Sequence, residues 1–170
     1  KVGLNISGIN DYPSFDIESI RALEEDEFVE VIVTNFMSNV SAGEYFQDLT
    51  ISIDNVSDNT MFSTQPYFWG ANLIFGIAPD KNGNVTFDLT LTDDDLLNPL
   101  SATKNVSINV NPVNDAPRFL DNLNYSLLEN EEINIDTING MLKGAYDVDG
   151  DLISVVVESS DVPTQGVFTF

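Results

Sequence analysis

Nine residues, Asn111-Pro112-Val113-Asn114-Asp115-Ala116-Pro117-Arg118-Phe119, constrain the fold of this chain more than any other stretch. Pro112 and Pro117 each fix φ and push the preceding residue toward extended geometry, so the segment cannot continue a helix and bends little. It reads as a stiff joint between two β-rich stretches, with Phe119 placed to plug the base of the fold that follows. The pattern occurs twice. Ile9-Asn10-Asp11-Tyr12-Pro13-Ser14-Phe15 matches Val113-Asn114-Asp115-Ala116-Pro117-Arg118-Phe119, and Asn10 and Asn114 stand 104 residues apart.

The offset extends to both sides of the joint. Val2, Leu4 and Ile6 alternate with polar residues as Val106, Ile108 and Val110 do, the signature of one half-buried strand in two copies. Leu23-Glu24-Glu25-Asp26-Glu27 lines up with Leu128-Glu129-Asn130-Glu131-Glu132, 105 residues on. A period of this length belongs to an array of domains, being far longer than a solenoid unit. The expected organisation is the last strand of a preceding repeat at residues 1–8, one complete repeat at 9–113, and the first part of another at 114–170.

Alternating or short apolar runs at Phe28–Val33, Leu49–Ile53, Asn72–Ile77, Val85–Leu91 and Val106–Val110 predict strands, separated by turn clusters such as Asp54-Asn55 and Pro79–Asn84. No window sustains a helical period. About seven strands in roughly 100 residues predict an all-β, immunoglobulin-like Greek-key sandwich. Beyond Phe119 the pattern restarts at Tyr125–Leu128, Ile133–Ile135, Leu152–Val157 and Gly166–Phe170.

Charge narrows the partners. Six basic against 28 acidic residues give a net charge of −22, which repels nucleic acid and anionic membrane surfaces and attracts cations. With neither Cys nor His, the sequence has no disulfide, thiol, zinc or imidazole chemistry. No apolar run approaches the roughly 18 residues needed to span a bilayer. No nucleophile–base arrangement or Gly-x-Ser-x-Gly turn is present, so a structural or binding role is expected rather than catalysis.

Asp147-Val148-Asp149-Gly150-Asp151 is the strongest local motif, because carboxylates at alternate positions around a glycine turn can converge oxygens on a hard cation. It is not an EF-hand: the glycine stands fourth rather than sixth, and Leu152–Val157 reads as a strand. Calcium takes about 6–8 oxygens, more than one turn supplies. Further oxygens are offered by Glu25 and Asp26, by Asp93-Asp94-Asp95 after a strand end, and by Asn111, Asn114 and Asp115 in the joint. Taken singly, Asp93 to Asp95 read as surface charge. The candidate metal ligands are Glu25, Asp26, Asp93, Asp95, Asn111, Asn114, Asp115, Asp147, Asp149 and Asp151.

The joint, the acidic residues after Leu23 and Leu128, and Gly140-Met141-Leu142 leading into Asp147–Asp151 together resemble the cadherin-like repeats of large bacterial surface and secreted proteins. The resemblance covers nearly the whole chain. It implies tandem Greek-key sandwiches, an extracellular or cell-surface setting, neighbouring repeats as partners, and Ca2+ held between successive domains. By position, Glu25 matches the family's strand-edge acid, Asn111, Asn114 and Asp115 its linker ligands, and Asp147 and Asp149 its paired aspartates. Two departures stand out. Asn114 precedes Asp115 where the family has Asp before Asn, and residues 36–48 carry Asn39, Glu44 and Asp48 in place of an Asp-x-Asp turn.

Tyr67-Phe68-Trp69 could form a platform for sugar rings or a protein partner. Core packing is the preferred reading, since alternation buries at least one ring and Trp is usually largely buried. An exposed Trp69 with polar neighbours would favour the platform. Sequons at Asn5, Asn39, Asn55, Asn84, Asn105 and Asn124 permit N-glycosylation in a host that performs it. The leading functional expectation is a calcium-stiffened extender of an adhesin or extracellular fibre. The alternative is a carbohydrate- or protein-binding module, and strand complementation between chains is a further arrangement.

Overall fold

The computed structural model describes residues 8–23, 29–120, 123–136 and 139–156, and divides into two compact units, Lys1–Val113 and Asn114–Phe170. The described residues are nearly all strand, turn and extended connection, as the turn-punctuated apolar runs require. The fold is all-β and sandwich-type.

In the first unit the strands are β1 (Ser14–Ile17), β2 (Ile20–Leu23), β3 (Glu30–Val33), β4 (Met37–Ser41), β5 (Leu49–Asp54), β6 (Phe62–Trp69), β7 (Asn72–Ile77), β8 (Gly83–Asp93) and β9 (Ser101–Asn111). One sheet has the order β2-β9-β8-β5, with β2 parallel to β9 and the other pairs antiparallel; the second has the order β3-β7-β6. β1 pairs with β4 in a separate two-stranded ribbon.

The two long strands carry the core because their apolar residues keep a strict period of two. β8 turns Val85, Phe87, Leu89 and Leu91 inward, and β9 turns Val106, Ile108 and Val110 inward, all essentially without solvent contact. Leu73, Phe75 and Ile77 of β7 meet them from the other sheet, with Phe36, Phe15, Met61 and Phe62 closing the ends. Burying side chains of this size stabilises by about 1.5–3 kcal/mol each. A 3-10 turn at Asn59–Met61 leads into β6; the Asp58 carboxylate accepts the Thr60 amide at its start.

Strands β1, β2, β4 and β6 were not among those expected from the alternation. The first two are four residues each, and β6 contains Pro66 and two register shifts against β7, which break a clean period. In the second unit, β10 (Arg118–Phe119) pairs with β11 (Ala145–Tyr146). Tyr125–Leu128, Ile133–Ile135 and Leu152–Val156, expected as strands, are not strands in the structure. Their alternation finds no hydrogen-bonded neighbour among the described residues, and a lone extended segment satisfies neither its backbone nor its apolar face. Gly166–Phe170 and the strand expected at residues 1–8 fall outside the described residues, save Gly8.

Candidate functional site

The acidic turn of the second unit is built on its short ribbon. β11 ends at Tyr146, and Asp147 starts a turn in which its own Oδ1 accepts the backbone amides of Asp149 (3.0 Å) and Asp151 (3.3 Å). The Gly150 amide donates to the Asp147 carbonyl, and Gly150 takes φ +81°, a conformation that glycine adopts without Cβ strain. The alternate spacing therefore works through backbone: Asp147 winds the loop around its own carboxylate. Asp149 then reaches back to the joint, where its Oδ2 accepts the Asp115 amide at 2.8 Å.

Asp115 is 8% exposed, and its Oδ1 accepts from Arg118 Nη2 at 3.2 Å, an ion pair three residues along the joint. The Asn114 side-chain amide donates to the Asp115 carbonyl. Asp115, Asp147, Asp149 and Asp151 are thus parts of one hydrogen-bonded loop assembly within the second unit. Arg118 was not among the expected site residues, although its place three residues after Asp115 in a chain with six basic residues marks it as that acid's partner. Phe119, expected as a plug, is 60% exposed, because among the described residues the two-residue ribbon has no packed sheet beneath it.

The first unit has the same ribbon with a different loop. Ser14 pairs with Ser41 as Arg118 pairs with Tyr146, so Ala42-Gly43-Glu44 follow the ribbon where Asp147-Val148-Asp149 follow it in the second unit. Gly43 has φ +96°, and a Cβ there would collide with the Asp11 carbonyl, so backbone fills the space beside the joint. Asn10 does the tying. Its Oδ1 accepts from Gln47 Nε2 at 2.7 Å, and its Nδ2 donates to Asp93 Oδ2 (3.1 Å) and to the Asn98 carbonyl (2.9 Å).

Asp93 occupies the last inward position of β8, after Leu91, and is 3% exposed. The reading of Asp93 as surface charge is corrected by this burial. Its Oδ1 accepts the Asp95 and Leu100 amides, and Asp95 Oδ1 accepts those of Leu97 and Asn98. The burial of Asp93 penalises its charge. The amides of Asp95, Leu100 and Asn10 outweigh that penalty and hold its carboxyl below the usual carboxylate range. These two acids organise the β8–β9 loop. Asn111 ends β9, its Oδ1 accepting from Asn109. Glu25 and Asp26 lie outside the described residues.

Tyr67 and Trp69 face outward from β6, and Phe68 turns toward the core. Trp69 is 74% exposed, which overturns its expected core packing. The reason is its place in the outward row of an edge strand, where its register partner on β7 is the polar Asn72. Tyr67 instead lies beside Ile74, whose other cross-strand neighbour is Ile32. The three rings do not form a single platform: two belong to the outer face and one to the interior.

Hard, oxygen-only donors are the type that calcium selects, and Asp147, Asp149 and Asp151 supply them on one turn. Their number falls short of a full shell. Among the described residues no three Asp or Glu side chains are grouped so as to hold a metal ion. No helix among the described residues is long and apolar enough to cross a membrane. No protein-family model matches the chain, and no curated protein matches it either.

Proposed function

We propose that the chain is part of a tandem array of cadherin-like, Greek-key repeats that serves as a calcium-stiffened extender of a bacterial cell-surface adhesin or extracellular fibre. The observation that carries this reading is the second unit's loop, where Asp147 winds the turn and Asp149 is fastened to the Asp115 amide of the joint. A cation bound to that loop would lock the joint to the ribbon. The oxygens would come from Asp147, Asp149 and Asp151, with Asn114 and Asp115 of the same unit as further ligands. Bound calcium supplies charge neutralisation and fixed geometry; no reaction is involved.

Support also comes from the two sheets of the first unit, β2-β9-β8-β5 and β3-β7-β6, which make an all-β, sandwich-type fold of the class such repeats have. The net charge of −22 makes a divalent cation the natural counter-ion. The test is titration of the chain with calcium chloride, with magnesium chloride as control, following heat and thermal midpoint. Saturable calcium binding with a rising midpoint supports the reading. No heat and no shift would remove it.

A second reading is favoured by the exposed Trp69. An indole facing solvent beside Asn72 is suited to stacking on the apolar face of a sugar ring, with the amide as hydrogen-bond partner. Under this reading Trp69→Ala abolishes retention on immobilised neutral polysaccharide and leaves the calcium response intact.

A further inference from the structure

The two sheets of the first unit do not close on one side. β5 ends one sheet and β6 ends the other, and between them runs a groove of about 460 Å3. It is lined by Leu49, Ile51 and Ile53 from β5 and by Pro66, Tyr67 and Phe68 from β6. Leu49, Ile51 and Ile53 belong to the row of β5 that should be buried, yet Ile51 remains 39% exposed.

Sheet edges are normally guarded by proline, lysine, a bulge or a covering loop, because unpaired backbone groups recruit other strands. β6 is guarded. Pro66 removes a donor, and two register shifts distort its pairing. β5 is not. Leu49-Thr50-Ile51-Ser52-Ile53-Asp54 contains neither proline nor lysine, and its ladder with β8 runs from Leu49↔Asp93 to Asp54↔Asp88 without a bulge. An unguarded, regular, half-exposed apolar edge is a template for strand addition, with backbone hydrogen bonds to one side and apolar pockets beneath.

Charge selects the occupant. Asp48 precedes β5 and Asp54 ends it, both exposed, and the chain carries −22 overall. Pairing β5 with β5 of a second copy would set these acids against their like and bring two strongly anionic chains together. A cationic strand faces no such opposition. We propose that the β5 edge and the β5–β6 groove bind an extended peptide segment of a partner protein, apolar at alternate positions and flanked by Lys or Arg. The peptide adds to β5 as an antiparallel or parallel neighbour, sends alternate apolar side chains onto Ile51, Ile53 and Phe68, and sets its basic ends near Asp48 and Asp54.

The probe is a blocked, fluorescent peptide of alternating valine and threonine with a lysine at each end, about eight residues long to match a typical strand. The full chain is expected to bind it, and amide exchange at Leu49–Asp54 to slow while that of β3, the far edge strand of the other sheet, stays unchanged. Replacing both lysines by glutamate is expected to weaken binding by about tenfold or more, since like charges then face each other across the edge. Ile51→Lys, which puts a charge into the half-open groove, is expected to weaken it by a similar factor of about ten. The proposal is overturned if the lysine peptide does not bind, if both peptides bind equally, or if slowed exchange falls on β3. It is also overturned if sedimentation shows a dimer that Ile51→Lys dissociates, because the occupant is then a second copy. The exchange measurement uses the unsubstituted chain, so poor folding of Ile51→Lys does not decide the result.

Discussion

The two units receive the chain through the same joint and the same antiparallel ribbon, yet they finish the adjoining loop with opposite chemistry. In the first unit Asn10 binds Gln47, Asp93 and the Asn98 carbonyl, and Gly43 brings loop backbone against the Asp11 carbonyl. The loop then displays Tyr45 and Phe46, stacked edge-on and exposed. In the second unit Asp147 and Asp149 stand where the first has Ala42 and Glu44, and Asp149 is fastened to the joint through the Asp115 amide. The aromatic that ends the motif differs as well: Phe15 is 3% exposed and Phe119 is 60% exposed. One joint is sealed by the Asn10 and Gln47 amides, the buried Asp93 carboxylate and close backbone packing over a completed core. The other presents carboxylates. A repeated motif therefore fixes the path of the chain without fixing the chemistry of the joint.

The largest effect separates core from joint. Phe87→Ala empties the centre of the first unit and is expected to cost about 3–5 kcal/mol, read as a lower denaturant midpoint. The calcium response of the chain is expected to survive it; a response lost together with the core would break the division between the two regions.

Gly43→Ala comes next. It combines a left-handed backbone with a collision at the Asp11 carbonyl, so a loss of roughly 1–3 kcal/mol is expected in thermal melts. The matching change Val148→Ala in the acidic loop is expected to stay within about 0.5 kcal/mol, as an ordinary surface substitution. Equal losses would mean that the two loops are packed alike.

Asp149→Ala is expected to weaken calcium binding by about tenfold or more, as loss of a carboxylate from a site tuned by ligand charge. Glu44→Ala, at the corresponding place in the first unit, is expected to change it less than about twofold, being outside that site. Calorimetric titration of both variants checks the pair, and the reverse order would assign the cation to the wrong loop.

The smallest effect concerns pH. The Asp93 carboxyl is held below its ordinary value in the folded chain, so its stabilisation is fully present above about pH 4, the value for a free aspartate. That stabilisation disappears as pH falls through the folded value. Asp16, Asp58 and Asp88 are lowered too and act in the same direction. Asp93→Asn is expected to reduce, without removing, the fall in thermal midpoint on acidification.

How much of this was legible in the sequence depended on whether a residue's role was local. Alternation in Val85–Leu91 and Val106–Val110 revealed the two central strands, because a period of two survives any packing detail. The Asp147–Asp151 turn was readable because its hydrogen bonds span at most four residues. Asp93 was misread, since its burial depends on Asn10, 83 residues away, and on the return of the chain at Leu100. Trp69 was misread for a related reason. Its exposure follows from β6 being an edge, a property of the whole sheet that no local pattern carries. The second unit's alternating segments showed the limit of periodicity: Leu152–Val156 has strand composition but no partner to pair with among the described residues.

The most direct measurement is hydrogen exchange of the chain with calcium and with chelator, read at the two equivalent loops. Calcium is expected to slow the amides of Asp115, Asp149, Gly150 and Asp151 and to leave those of Gly43 and Glu44 unchanged. Equal exchange in both conditions at Asp115 and Asp149–Asp151, or slowing confined to Gly43 and Glu44, would contradict a calcium-stiffened joint.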